Sequence, residues 1–187
     1  MATTTAALVI TKDTSIGSLT ATQIAGLSVD QLNGLTKDQK GEFGAAQAAN
    51  LTSKQVAGVN FKGGFADDVT AGITVKVVPD LNIKNISVAQ ASALTPAQFA
   101  VLKTTQVSDF TKAQLAEVST DAINGLVLGA KGNFSGLNIK NLDTKFADLS
   151  GAQIAALSDA QWKQVSATQT ATLMGRCRLR GPAWPNP

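Results

Sequence analysis

The sequence predicts a mainly α fold, a solenoid-like stack of short capped helices of one to two turns each, with minor β segments in the interludes. Two observations carry that prediction. The first is a tandem octad: five copies in residues 19–58, five in 86–125 and three in 149–172. An apolar residue stands first in all thirteen, Ser or Thr second in eleven and Gln fifth in twelve. Gln accounts for 13 of 187 residues, so an unordered chain would place about one there. The second observation is that eight residues do not close on a helical face. At 3.6 residues per turn they advance about 800°, so an apolar stripe drifts about 80° per repeat. One long helix would have no fixed buried side, and its start signals and glycines would fall mid-helix.

Each octad carries its own start signal. The second position (Thr20, Ser28, Thr36, Thr52, Ser87, Thr95, Thr111, Ser119, Ser150, Ser158 and Ser166) suits an N-cap hydroxyl. The fifth (Gln23, Gln31, Gln39, Gln55, Gln90, Gln98, Gln114, Gln153, Gln161 and Gln169) then falls at N3, where its amide reaches back to the cap N–H. That reciprocal pair is a capping box. Positions one and six become the ends of a hydrophobic staple: Leu19/Ile24, Leu27/Leu32, Leu51/Val56, Leu94/Phe99, Phe110/Leu115, Leu149/Ile154 and Leu157/Trp162. Pro96 stands at N1, where a missing N–H costs nothing. Gly26, Gly34, Gly58 and Gly125 close their octads, where a helix end tolerates or wants a left-handed residue. A helix of five or six residues does not hold alone, because nucleation is costly. A cap contributes about 1 kcal/mol, so stacking of positions one and six must supply the rest.

Taken in order, residues 1–18 read as an N-terminal cap or strand, with the apolar run 6–10 too short for a signal-peptide core. Octad block one spans 19–58. In the interlude 59–85, residues 59–62, 73–77 and 81–84 alternate apolar with polar, which predicts strands. Gly63-Gly64 and Pro79-Asp80 supply its turns, and Lys62, Lys76 and Lys84 fall on the polar face, as a solvated sheet edge or an anion contact. Block two spans 86–125 and a second interlude 126–141. Its LNIKN (137–141) repeats the LNIKN of 81–85 at a distance of 56 residues. Block three spans 142–174, beginning with a seven-residue, Gln-free phrase at 142–148. Residues 175–187 form an atypical tail that holds every Arg, the single Cys and three of five Pro, and it is expected to be poorly ordered.

Composition excludes several functions. The net charge of +3 comes from Arg176, Arg178 and Arg180, and 13 Lys before them balance 11 Asp and 2 Glu. The body is neutral, so no nucleic-acid partner is inferred. No apolar run reaches membrane-spanning length. The absence of His removes imidazole catalysis and His–metal ligation. Cys177 has no partner for a disulfide, and its Arg neighbours favour the thiolate without supplying a base. Asp67-Asp68 is the one adjacent carboxylate pair, either a solvated turn or part of a Ca²⁺ site. Glu42 and Glu117 form no catalytic pair. Phe99 and Trp162 sit at staple positions and are expected in the core. Lys40 and Lys103 break the octad at positions six and two, where the core is expected to open locally. No catalytic, cofactor-binding or metal residue is assigned, no cofactor is implied, and no enzymatic activity is expected.

The tandem phrase L-[ST]-x-x-Q-[ILV]-x-x resembles the octapeptide tracts of very large bacterial surface and adhesin-type proteins, over about 105 residues. The resemblance implies an extracellular or cell-surface structural or adhesive module: a spacer, a scaffold or a self-associating filament unit. Its partners would be further copies of itself, as a homo-oligomer, or a cell-surface polysaccharide. Two alternatives stay open: an ice- or polysaccharide-binding repeat that displays Thr and Asn, and a non-catalytic domain attached to a secreted hydrolase.

Overall fold

The computed structural model describes the backbone of residues 8–179 and the side chains of residues 8–175. Among these residues every regular element is helical. The α-helices run four to six residues each, except the last, Ala167–Leu179, and 3₁₀ turns join several of them. Residues 19–58 break into Ala21–Gly26, Val29–Asn33, Lys37–Glu42, Ala45–Ala48 and Ser53–Gly58, one helix per octad.

The starts of these helices come from the residue types. In all ten Ser/Thr–Gln octads the hydroxyl accepts from the Gln N–H, and the Gln Oε1 accepts from the cap N–H. At Thr95 and Gln98 the two bonds measure 3.3 and 2.7 Å. Ser119, with Ala122 at N3, keeps only the hydroxyl half at 3.1 Å. Gly44 and Lys103 keep only the glutamine half, from Gln47 at 3.2 Å and Gln106 at 2.7 Å. Pro96 opens its helix as expected.

The octad-closing glycines at these helix ends do not use the left-handed freedom open to them. Gly34 and Gly125 are right-handed at φ −81° and −69°, and only Gly64 and Gly129 take positive φ among the described glycines. Several helices stop because the next octad's first residue turns extended, as Leu27 does at φ −66°, ψ 140°. That residue is already N′ of the following helix, which leaves no room for a left-handed cap. Some glycines serve close approach instead. A Cβ on Gly72 would lie 2.0 Å from the Ala45 carbonyl oxygen, and one on Gly125 would lie 2.7 Å from that of Pro96.

No strand forms in the interludes among the described residues. Residues 61–64 turn at Gly64 (φ +103°), and the rest becomes Val69–Gly72, Val78–Asp80 and Ile83–Asn85. The alternation reads burial correctly in two of the three segments: Val59, Phe61, Leu81 and Ile83 are buried while Asn60 and Lys62 are exposed, but in 73–77 Val75 is 46% exposed between buried Ile73 and Val77. It misreads pairing, because these segments meet their neighbours through isolated bonds such as Lys62 N–H to the Asn85 carbonyl at 2.9 Å. A period of two marks an extended segment with one side inward, and a sheet also needs a partner ladder. Residues 8–11, the other strand candidate, carry no strand either.

One apolar cluster runs from Ile16 to Leu157. Phe99 is fully buried and stacks on Phe110 at 5.4 Å between centroids. Trp162 departs from expectation, with 43% of its surface exposed. The composition break at residue 175 does not coincide with a helix end. The final helix continues to Leu179, since no new octad start comes after residue 172 to turn the chain, and residues 180–187 lie outside the described residues.

Candidate functional site

The most organised polar feature is a ladder built from the octad glutamines. Capping engages only Oε1. The Nε2 group points the other way and donates to backbone carbonyls of a segment some 23–31 residues earlier. Gln98 donates to the Thr70 carbonyl at 2.7 Å and to that of Ile73 at 2.6 Å. Gln106 reaches Val78 and Leu81 at 2.9 and 2.7 Å, and Gln55 reaches Ile24 and Leu27 at 2.8 Å each. The acceptors sit where a short helix or turn ends: the Ile24, Thr70 and Val78 carbonyls also accept from the backbone N–H of Leu27, Ile73 and Leu81, and the carbonyls of those three residues take the second amide bond. One buried side chain thus starts its own helix and completes the end of an earlier one.

This chemistry requires an amide. A glutamate serves a capping box as well as a glutamine does. It has no N–H to give, and its charge would face carbonyl oxygens in a buried site. Gln98, Gln90 and Gln55 are each at most 2% exposed. The repeated LNIKN is the acceptor side of the same device. Leu81 and Ile83 receive Gln106 and Gln114, and Leu137 and Ile139 receive Gln161 and Gln169.

The interlude 126–141 contains a member of the ladder that the octad pattern misses. Asn133, 5% exposed, accepts from Val127 N–H and donates to the Phe99 and Leu102 carbonyls, all at 2.8 Å. No octad surrounds it, so its only sequence signal is an Asn in a turn-rich stretch.

The remaining candidates do not converge. Asp67 and Asp68 are exposed in a turn, and no group of three potential metal ligands exists among the described residues. Glu42 binds structure: its carboxylate accepts from Ile16 N–H at 2.9 Å, Ser15 hydroxyl at 3.1 Å and Gly17 N–H at 3.3 Å. The Gly17 N–H, then the Ser15 hydroxyl, hold its carboxyl below the usual range. Glu117 is exposed. Lys40 is half-buried with its ammonium 5.7 Å from the Phe65 ring centroid, in a cluster where Phe65 meets Phe43 and Phe61 edge-on. The core stays closed there. Lys103 pairs with Asp80 at 3.3 Å, and the Ser53 hydroxyl followed by that ammonium keeps the Asp80 carboxyl below its usual range. Lys84 pairs with Asp109 at 3.1 Å, while Lys62 and Lys76 are exposed and gather no shared anion pocket with it. Exposed pairs of this kind contribute about 0–1 kcal/mol. The backbone of Arg176, Cys177 and Arg178 belongs to the final helix, and their side chains and Arg180 lie outside the described residues. An open cleft of about 400 Å³ borders Leu8, Ile10, Gln31, Gly34 and Thr36 and carries no titratable pair. No helix among the described residues is long and apolar enough to cross a membrane.

Comparison of the chain with known protein families, with curated proteins and with solved structures finds no match.

Proposed function

We propose that this chain is a structural or adhesive repeat module of a bacterial cell-surface or secreted protein, built as a solenoid of short helices. Successive layers of about 28 residues stack along one direction, and the module acts as spacer, scaffold or filament unit. The observation that carries the reading is the glutamine ladder, whose bonds recur at separations of 25 and 28 residues (Gln39, Gln98, Gln106). The 56-residue spacing of LNIKN is two such layers. Its buried polar groups hold layers together, and among the described residues no group of three potential metal ligands competes with them. The second-position hydroxyls accept from their own helices rather than forming an outward array, which favours this reading over an ice-binding surface.

Duplicating residues 82–137 after Leu137 tests it. A solenoid gains two layers, and its maximum dimension in small-angle scattering grows by roughly 20 Å at a packing distance of 8–10 Å per layer. Its cross-section stays unchanged. A duplicated chain that swells equally in all directions, or melts as two independent units, refutes the solenoid.

A further inference from the structure

The bonds that join one part of the chain to another share a single reach. Among the described residues, every hydrogen bond between partners more than seven apart in sequence spans 20–34 residues, from Thr70 and Gln90 at the short end to Phe99 and Asn133 at the long end. The ion pairs Lys103–Asp80, Lys84–Asp109 and Lys112–Asp143 fall in the same range. Gln90, Gln98, Gln106 and Gln114 hang one stretch of chain on the carbonyls of residues 61–86. Asn133 and Asn141 then hang the following stretch on the carbonyls of Phe99, Leu102 and Phe110. The chain has a single Cys, so no intrachain disulfide crosses these joints.

Connectivity of this kind decides how the protein yields. In a stack whose units hold only their neighbours, stability is a sum of unit and interface contributions. In a solenoid the rungs run along the stacking direction, so tension between the chain ends passes through the joints in series. Breaking the rungs of one joint frees one layer and leaves the other joints intact.

From this we infer that the module is an extensible tether, which lengthens under tension by shedding one layer at a time and recoils when the tension falls. This role rests on the solenoid reading above and adds a mechanical property to it. A freed layer of about 28 residues reaches about 90–100 Å at 3.3–3.6 Å per residue. It gives up about 8–10 Å of stack, for a net gain of roughly 80–90 Å. Recoil follows from the same short reach. Each rung re-forms by closing a loop of no more than 34 residues, at an entropic cost nearly equal from layer to layer. Below about three layers a repeat stack no longer holds, so the last layers leave together.

Optical tweezers on the full chain, held by peptide tags at its two ends, read the tether. The wild type should lengthen in at least two steps of about 28 residues, each adding roughly 80–90 Å, ahead of one larger final step. The pattern should repeat over successive cycles of stretching and relaxation. Gln106→Leu, and Lys103→Ala at the Asp80 ion pair of the same joint, should each bring one step to lower force and leave the rest in place. Rupture of the whole chain in a single step overturns the proposal. So do variants in which every step shifts together, and so does a pattern that is lost after the first stretch. Small-angle scattering from the wild type separates this from the parent reading: an elongated chain that ruptures at once keeps the solenoid and loses the tether, and a compact chain loses both.

Discussion

Residues 86–117 and 149–172 are written in the same octad yet occupy different environments. Phe99 and Trp162 both stand sixth, both come after a complete capping box, and both face a first-position Leu. Phe99 is fully buried and Trp162 nearly half exposed. The difference teaches that the octad determines where a helix begins and which side chains are available for burial. A later segment is needed to bury them, and the last block lacks one among the described residues.

The largest contrast should come from truncating these two residues. Phe99→Ala opens a cavity in packed surroundings and should cost roughly 3–5 kcal/mol. Trp162→Ala leaves a surface notch and should cost about 1–2 kcal/mol. Urea denaturation of both variants measures the gap, and equal losses would break the comparison.

Next is the ladder. Gln98→Glu keeps an acceptor for the Thr95 N–H but loses both donations and buries a charge, at roughly 3 kcal/mol. Gln23→Glu, where only the cap is at stake, should change stability by less than about 0.5 kcal/mol. A stable Gln98→Glu protein at pH 7 would reduce the glutamines to simple caps.

Smaller again is the glycine pair. Gly72→Ala sets a methyl against the Ala45 carbonyl and should destabilise by about 1–3 kcal/mol. Gly151→Ala meets nothing within 4 Å at a helix start and should stabilise by about 0.5 kcal/mol. Thermal melts of the two should move in opposite directions.

The smallest effect concerns pH. Glu42 is held below its ordinary value of 4.5 by the N–H and hydroxyl groups at Gly17, Ser15 and Ile16. A depressed acid binds fewer protons folded than unfolded. Its contribution is therefore present above pH 4.5 and is lost as pH falls through the folded value. Amide exchange around Ile16 should slow in the wild type relative to Glu42→Gln at pH 6, and the two should converge in strong acid.

Much of the fold was legible because capping is local. A hydroxyl, a glutamine three residues on and an apolar pair five apart sufficed to locate helix starts such as Thr95 and Ser158. Half of the ladder was also legible in principle: twelve octads carry Gln at the fifth place and none carries Glu, a bias capping alone does not require. The carbonyls that explain it sit 23–31 residues away, beyond any local pattern. Asn133 had no repeat to mark it. In residues 59–62 and 81–84 the alternation told inside from outside, but the expected sheet did not form, because burial side and backbone pairing are separate properties.

By itself the sequence determined where each short helix starts, which residues it offers to a core and that no imidazole or thiolate cluster exists for chemistry. Tertiary structure alone decided which of those residues are buried, and that the glutamine amides meet carbonyls about 28 residues back. A cap is closed by atoms three residues apart, whereas a ladder rung is closed only when a second segment arrives to accept it.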